Sequence, residues 1–499
     1  MGVYCNYSET MFKMTLAEKL PLKKNIVFFL IDGLRADQVY GNDRTCKTPN
    51  IDSLVHKGMY FEQAISSTDG TIISLNTIFS SNFQVSSATR YQKIVLGENS
   101  LIDILKKNGY HIYGTLPNFA SFNSLLERFE NENNNEQIEN SDKNAGELID
   151  PVAAQFLGQK IEGNHSEYER YRATLPKGLA ENIIQLLESK KQEPYFCYFH
   201  IFDLHPLREG MMPIGIEDFD NEKFGSSLYE RTVSSIDFWL GKIFEHIDKN
   251  DVIILTADHG ERIPHGGMRE VDFQPKLEHA VDFGKKILPK SAHKIGGQFL
   301  YDIRKSVGKR KLNKSNKKLT NYQKRSRDPY FTLSLFDELI RVPLLFVGNS
   351  IKPRIITKQV RHVDISPTIY ELLDIPLDRK ISGKSLISFD DESSQEENPS
   401  YLHTMPHHKL SPSDMVGLRT NKHKYFRAAR DPKENVNLYD LKNDPYENDN
   451  IAEINKELVT QFEKKILQLE KDNLSEYKEK ISEKELQRIS NELKRLGYM

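Results

Sequence analysis

The chain has 499 residues, of which 28% are charged, and a formal net charge of −2. That length fits one large α/β domain with an appendage, or two to three ordinary domains. The near-neutral charge excludes a global field that would recruit nucleic acid or membrane, and three scattered cysteines, Cys5, Cys46 and Cys197, exclude a disulfide scaffold and a thiolate zinc site.

Residues 1–23 are a polar lead without a sustained apolar core, so no signal peptide is expected. No stretch approaches the roughly 20 apolar residues of a spanning helix. With the unpaired cysteines, this makes the cytoplasm the expected location. The run Lys24-Asn25-Ile26-Val27-Phe28-Phe29-Leu30-Ile31-Asp32-Gly33 reads as a strand buried on both faces, with Asp32 at its carboxyl end. A carboxylate there is costly unless it is hydrogen-bonded or bound to a cation; capping of the next helix is the plainer alternative. Thr48-Pro49-Asn50-Ile51-Asp52 starts a helix, and Met59–Ala64 reads as a strand. Ser66-Ser67-Thr68-Asp69-Gly70-Thr71 then runs into a helix. A hydroxyl at a helix N-terminus lies where backbone N–H groups favour negative charge, although an ordinary N-cap is the commoner use.

Val252-Ile253-Ile254-Leu255-Thr256-Ala257-Asp258-His259-Gly260 repeats the first pattern: an apolar strand ending in an Asp-His pair, with the glycine read as a tight turn. In open α/β sheets, ligands sit outside the carboxyl ends of strands. Asp258 and His259 would offer one carboxylate oxygen and one imidazole nitrogen to a divalent metal, or else form a capped, solvated loop. A basic insertion follows at about 269–328. From Lys285 to Arg327 it has fifteen Lys/Arg against one acid, Asp302. Such a bias is either a solvated loop or a cationic lid that attracts polyanions. From about residue 400 short strands and turns replace the α/β pattern. Residues 453–499 place Ile466, Leu469, Ile489, Leu493 and Leu496 at helical spacing, as in an amphipathic helix pair.

These pieces, in this order, resemble the sulfatase family of the alkaline phosphatase superfamily. Asp32-Gly33 and Asp258-His259-Gly260 match its two metal-bearing strand ends. Gly109-Tyr110-His111 is similar to its "NGYHT" block, and His200-Ile201-Phe202-Asp203-Leu204-His205-Pro206 to its "H-F-x-D-x-H-x-P" block. Ser334–Leu344 is similar to "SLYDExIRVPL"; His362–Thr368 and Leu438–Glu447 match later blocks, and Leu496-Gly497-Tyr498 a common ending. The resemblance runs from about residue 24 to the C-terminus, apart from the insertion. It implies an alkaline-phosphatase-like α/β sandwich, with a mostly parallel central sheet flanked by helices. The expected organisation is a catalytic domain at 24–399, a small α+β subdomain at 400–452 and a helical tail at 453–499.

The departure lies at the nucleophile. Sulfatases carry Cys or Ser in C/S-x-P-S-R and convert it to formylglycine, which threonine cannot become. Counting back from Thr77 puts Thr68 at that position, with Ser67 and Thr71 as alternatives should the register shift. This resembles the Thr-nucleophile branch that acts on phosphoesters. The resemblance implies that Asp32, Thr68, Asp258 and His259 bind one divalent metal. The mixed oxygen and imidazole set suits Mn²⁺ best, ahead of Mg²⁺, Ca²⁺ or Zn²⁺. Thr68 would attack, and His205 would protonate the leaving group or hold a non-bridging oxygen. His265 is a second candidate for that role, and Arg262 and Glu261 could orient ligands. Asp203, Asp52 and His362 read as structural.

The expected function is that of a metal-dependent hydrolase or phosphotransferase that cleaves a phosphoester, a phosphodiester in preference, through a covalent Thr68 intermediate. The rivals are a true sulfuric-ester hydrolase and a non-catalytic metal-binding holder of polyanions. The expected partner is an anionic ester, on a polyanionic glycan or lipid head group reached through the insertion; nucleic acid is less favoured, and attachment to an anionic membrane surface is the alternative to free cytoplasm.

Overall fold

A computed structural model of the chain describes residues 23–42, 44–85, 93–117, 120–130, 174–189, 191–208, 212–263, 317, 319–327, 334–388, 398–406, 411 and 413–473. Strands β1 (Ile26–Ile31) and β4 (Tyr195–Ile201) are buried along their whole length. Continuous apolar runs of this kind belong to strands covered on both faces. Burial of each large apolar side chain contributes about 1.5–3 kcal/mol, which favours placing these runs at the centre. Accordingly β4 and β5 (Val252–Thr256) flank β1, both parallel to it.

The whole sheet runs β3 (His111–Thr115), β4, β1, β5, β6 (Arg341–Val347), β2 (Met59–Ile65), β7 (Arg354–Arg361). Only β6 opposes its neighbours, so the sheet is mostly parallel.

Side chains alternate across a strand, and β1 uses both faces. Phe28 meets Tyr198 at 5.5 Å between ring centroids, and Tyr198 meets Phe79 of the helix Thr71–Ser80 at 5.5 Å. Phe29 meets Phe199 at 5.4 Å and Phe244 of the helix Leu228–Phe244 at 5.7 Å. Helices therefore cover both faces. The Leu228–Phe244 helix starts with a reciprocal cap between Ser227 and Glu230. Its Asp237 carboxylate accepts the amides of Asn50 and Ile51, at 3.2 and 2.8 Å, at the start of the helix Pro49–Lys57. A negative group there complements the free N–H groups of that helix start.

A second sheet is antiparallel, ordered β11 (Asn437–Asp440), β10 (His423–Ala428), β9 (Met415–Arg419), β8 (Ser400–His403). The helix Lys456–Asp472 buries Phe462 and Ile466, with Phe462 stacked on Tyr425 at 5.7 Å. The rest of the expected helix pair lies outside the described residues. Charge joins the small sheet to the body. Arg419 and Lys424 reach Asp337 at 2.7 and 2.6 Å, and Lys424 also reaches Glu447 at 2.6 Å. Among the described residues no helix is long and apolar enough to cross a membrane.

Candidate active site

Three adjacent parallel strands end at one edge of the sheet, and their last residues build the site. Asp32 follows β1 and its amide donates to Ile201 O, at the end of β4, at 2.9 Å. Asp258 and His259 follow β5. Gly33 takes φ +71°, a left-handed turn that suits glycine. Its N–H donates to Asp258 Oδ1 at 3.1 Å, as does the His259 amide at 2.8 Å. Asp258 Oδ2 is buried and has no hydrogen-bond partner among the described residues; His259 Nε2 lies 3.5 Å from it.

His259 Nδ1 lies 2.7 Å from Gly260 O, so Nδ1 carries the proton and Nε2 presents a lone pair. Ligand atoms of Asp32, Asp258 and His259 all lie within 4.8 Å of one another. Gly260, expected as a tight turn, has no positive φ. Glycine is needed for close approach instead, because a Cβ would stand 2.2 Å from Glu338 O.

The hydroxyl brought to this cluster belongs to Thr71. Its Oγ1 lies 3.1 Å from Asp32 Oδ2 and 3.4 Å from His259 Nε2. Thr68, the expected nucleophile and fourth ligand, is fully buried, and its hydroxyl has no hydrogen-bond partner among the described residues. Between them Asp69 accepts the amides of Ser334 and Met405, at 2.7 and 2.8 Å, which fixes the chain before the helix. The helix runs from Thr71 to Ser80 and is capped by Ser81 at φ +58°. Counted from Thr71, Ser74 takes the serine position of C/S-x-P-S-R, while Ile73 and Leu75 stand for its proline and arginine.

Two histidines face Asp32 from the end of β4. His205 Nδ1 lies 3.5 Å from Oδ1, and His200 Nε2 lies 3.8 Å from Oδ2. His205 stacks on Phe202 at 4.0 Å, and His200 is held by Tyr198 Oη at 3.1 Å. His200 lies outside the expected site residues although it opens the His200–Pro206 block, and in the sheet it pairs with Leu30, two residues before Asp32.

Burial opposes ionisation of Asp32, but the imidazoles of His200, His205 and His259 around it outweigh burial and hold the carboxyl well below its ordinary range. Burial and the Asp32 charge push Asp258 up. Two carboxylates that raise each other's cost in this way are relieved by a cation between them.

The other candidates separate. Asp203 is buried, accepts the Leu175 amide at 3.0 Å and is pushed up to about 7 by that burial. Asp52 binds Arg44 at 2.9 Å. Arg262 is half-buried, three residues beyond His259, and its amide donates to Glu261 at 2.7 Å. His265 and most of the basic insertion lie outside the described residues. The insertion's end is no solvated loop. Arg325 is buried against Glu338 at 2.5 Å, and the Tyr322 hydroxyl accepts from Arg35 at 3.0 Å.

The donor set fits a divalent ion: two buried carboxylates and one imidazole whose Nε2 faces them. The sulfatase family profile matches residues 24–375, and that of the C-terminal part of N-sulphoglucosamine sulphohydrolase matches residues 330–472. The chain belongs to the sulfatase family. Members of this family bind a divalent metal, and the chain is an enzyme of the alkaline phosphatase superfamily.

Human arylsulfatase K is 28% identical over 144 residues, which are 28% of this chain and 27% of that protein. A choline-sulfatase of Rhizobium meliloti is 30% identical over 130 residues, 26% of this chain and 24% of its own length. These matches thus span about a quarter of the relatives. Among solved structures, the phosphonate monoester hydrolase of Agrobacterium radiobacter superposes with a TM-score of 0.57 at 14% identity, covering 90% of this chain and 96% of that one. Another, solved with its substrate D-glucosamine-2-N,6-O-disulfate, gives 0.54 at 14% identity over 91% of this chain and 100% of that one. The chain is therefore alkaline-phosphatase-like in fold, as its sequence blocks implied.

Proposed function

We propose that this sulfatase-family enzyme hydrolyses a phosphoester, a phosphodiester in preference, with Thr71 as nucleophile. The observation that carries this reading is the Thr71 hydroxyl, 3.1 Å from Asp32 at the first turn of its helix. Asp32, Asp258 and His259 would hold the metal, with Mn²⁺ the best match to a mixed oxygen and nitrogen set. When bound, such an ion lowers the pKa of a neighbouring hydroxyl and neutralises developing charge on the ester.

The chain's own residues supply the rest. The Thr71 hydroxyl releases its proton to solvent as the Oγ1–phosphorus bond forms and the bond to the leaving alcohol breaks, and that alcohol takes a proton from protonated His205. Water then adds to phosphorus and gives a proton back to His205, the Oγ1 bond breaks, and Thr71 regains a proton from solvent. Leu75 stands where the family motif carries arginine, so one grip on a dianionic group is missing, which favours a diester. The substrate is proposed to be an anionic ester on a polyanionic glycan or lipid head group, a reading supported by the basic run at 285–327. Sulfuric-ester hydrolysis is the second reading, favoured by the relatives named arylsulfatase and choline-sulfatase.

The test is turnover of an aryl phosphodiester, an aryl phosphomonoester and an aryl sulfate with Mn²⁺, with Thr71→Ala and chelator as controls. Diester cleavage lost in both controls supports the first reading. Faster cleavage of the sulfate replaces it with the second.

A further inference from the structure

His362 stands just after β7, in the turn His362–Asp364 that leads into the helix Ile365–Leu372. Its ring is fully buried. Nδ1 lies 3.0 Å from Ser74 Oγ, and Nε2 has no hydrogen-bond partner among the described residues. Burial holds the imidazole down at about 3, so the ring is neutral. Ser74 is three residues after Thr71, on the same helix face. One side chain therefore ties the turn after β7 to the helix that carries Thr71. The same segment grips the helix again where Ser366 Oγ donates to Ile78 O at 2.6 Å.

An apolar side chain of the same volume would fill this space but would leave the rotation of the helix about its axis free. A hydrogen bond at Ser74 fixes that rotation, and with it the direction of the Thr71 hydroxyl. We infer that His362 and Ser74 form a bracket that sets Thr71 against the Asp32–Asp258–His259 cluster, with His362 as a positioning residue that touches neither ester nor ion. The inference rests on reading that cluster as the metal site.

The test is Mn²⁺ affinity of the full chain by calorimetry, which needs no substrate. Thr71→Ala and His362→Ala are each expected to weaken Mn²⁺ about tenfold, the range found when groups supporting a ligand are removed. The double variant is expected to bind no more weakly than Thr71→Ala alone, since His362 acts through Thr71. Ser74→Ala, a smaller change, should weaken binding in the same direction and serves if His362→Ala does not fold. Affinities equal to wild type in Ser74→Ala and His362→Ala, or losses that add in full, overturn the bracket while the metal reading stands. Wild-type chain that takes up no Mn²⁺ sinks the metal reading and the bracket with it, and the wild-type arm alone reveals that outcome.

Discussion

Thr71 Oγ1 and Asp32 Oδ2 stand 3.1 Å apart although 39 residues separate them. The contact joins the N-terminus of a helix to the carboxyl end of the central strand. That places a nucleophile candidate beside a buried carboxylate pair, while the neighbouring Thr68 hydroxyl is occupied by no hydrogen bond.

The two threonines are separable by mutation. Thr71→Ala should lower kcat with the best ester by at least about a thousandfold, the scale of losing a covalent nucleophile. Thr68→Ala should leave kcat within severalfold of wild type. Steady-state kinetics of both decides the matter, and the reverse pattern would return the nucleophile to Thr68.

Metal removal should be visible without any substrate. Asp32 and Asp258 face each other in the interior, so a divalent ion binds the folded chain far better than the unfolded one. At a hundred times its dissociation constant the ion should stabilise the fold by about 2.7 kcal/mol. Thermal melts with Mn²⁺ and with chelator check this, and coincident melts would speak against an ion at the cluster.

Asp203 links stability to pH. Its folded carboxyl is pushed up to about 7 from 3.8 by burial, so the folded chain holds this proton more tightly than the unfolded chain. The resulting stability is fully present below about pH 4 and is lost as pH rises through 7. Between pH 5.5 and 7 the loss is at most about 2 kcal/mol at 1.36 kcal/mol per unit. Urea unfolding of wild type and Asp203→Asn across that interval should show the variant losing less, and parallel profiles would remove Asp203 as the cause.

Two glycines should fail unequally. Gly260→Ala drives a Cβ to 2.2 Å from Glu338 O, an overpacking that costs about 1–3 kcal/mol or more. Gly33→Ala meets no atom closer than 3.9 Å and carries only its φ of +71°, a strain of about 1 kcal/mol. Denaturation midpoints of the pair should fall in that order.

Lys424 is fully buried between Asp337 and Glu447, both at 2.6 Å. Lys424→Met leaves two buried carboxylates without their shared cation, and breaking such an arrangement costs about 3–5 kcal/mol. A change below about 1 kcal/mol in chemical denaturation would show that Arg419 and Arg325 compensate.

The strand ends were legible because burial writes itself into local sequence. Ile26–Ile31 and Val252–Thr256 are short apolar runs, and a carboxylate straight after such a run has few roles. The helix register was less legible. Ser66, Ser67, Thr68 and Thr71 all offer hydroxyls, and the helix C-terminus is closed by Ser81 in a left-handed conformation where glycine is usual. Without that marker the sequence leaves the register of the hydroxyls against the helix open between Thr68 and Thr71. The surroundings of His200 are hidden for another reason. What it touches is decided by strands brought together across the sheet, and Arg325 likewise owes its burial to Glu338 and Glu447, not to the cationic run around it.

The amide of Met405 on Asp69, together with that of His403 on Ser67 O at 2.9 Å, has a bearing on biosynthesis. A nascent chain that has reached residue 399 already carries Asp32, Thr71, Asp258 and His259, yet it lacks both of these hydrogen bonds to the segment just ahead of the reactive helix. Positioning of Thr71 is thus completed only after β8 has left the ribosome, so that the enzyme acquires its reactive hydroxyl's final setting late in its own synthesis.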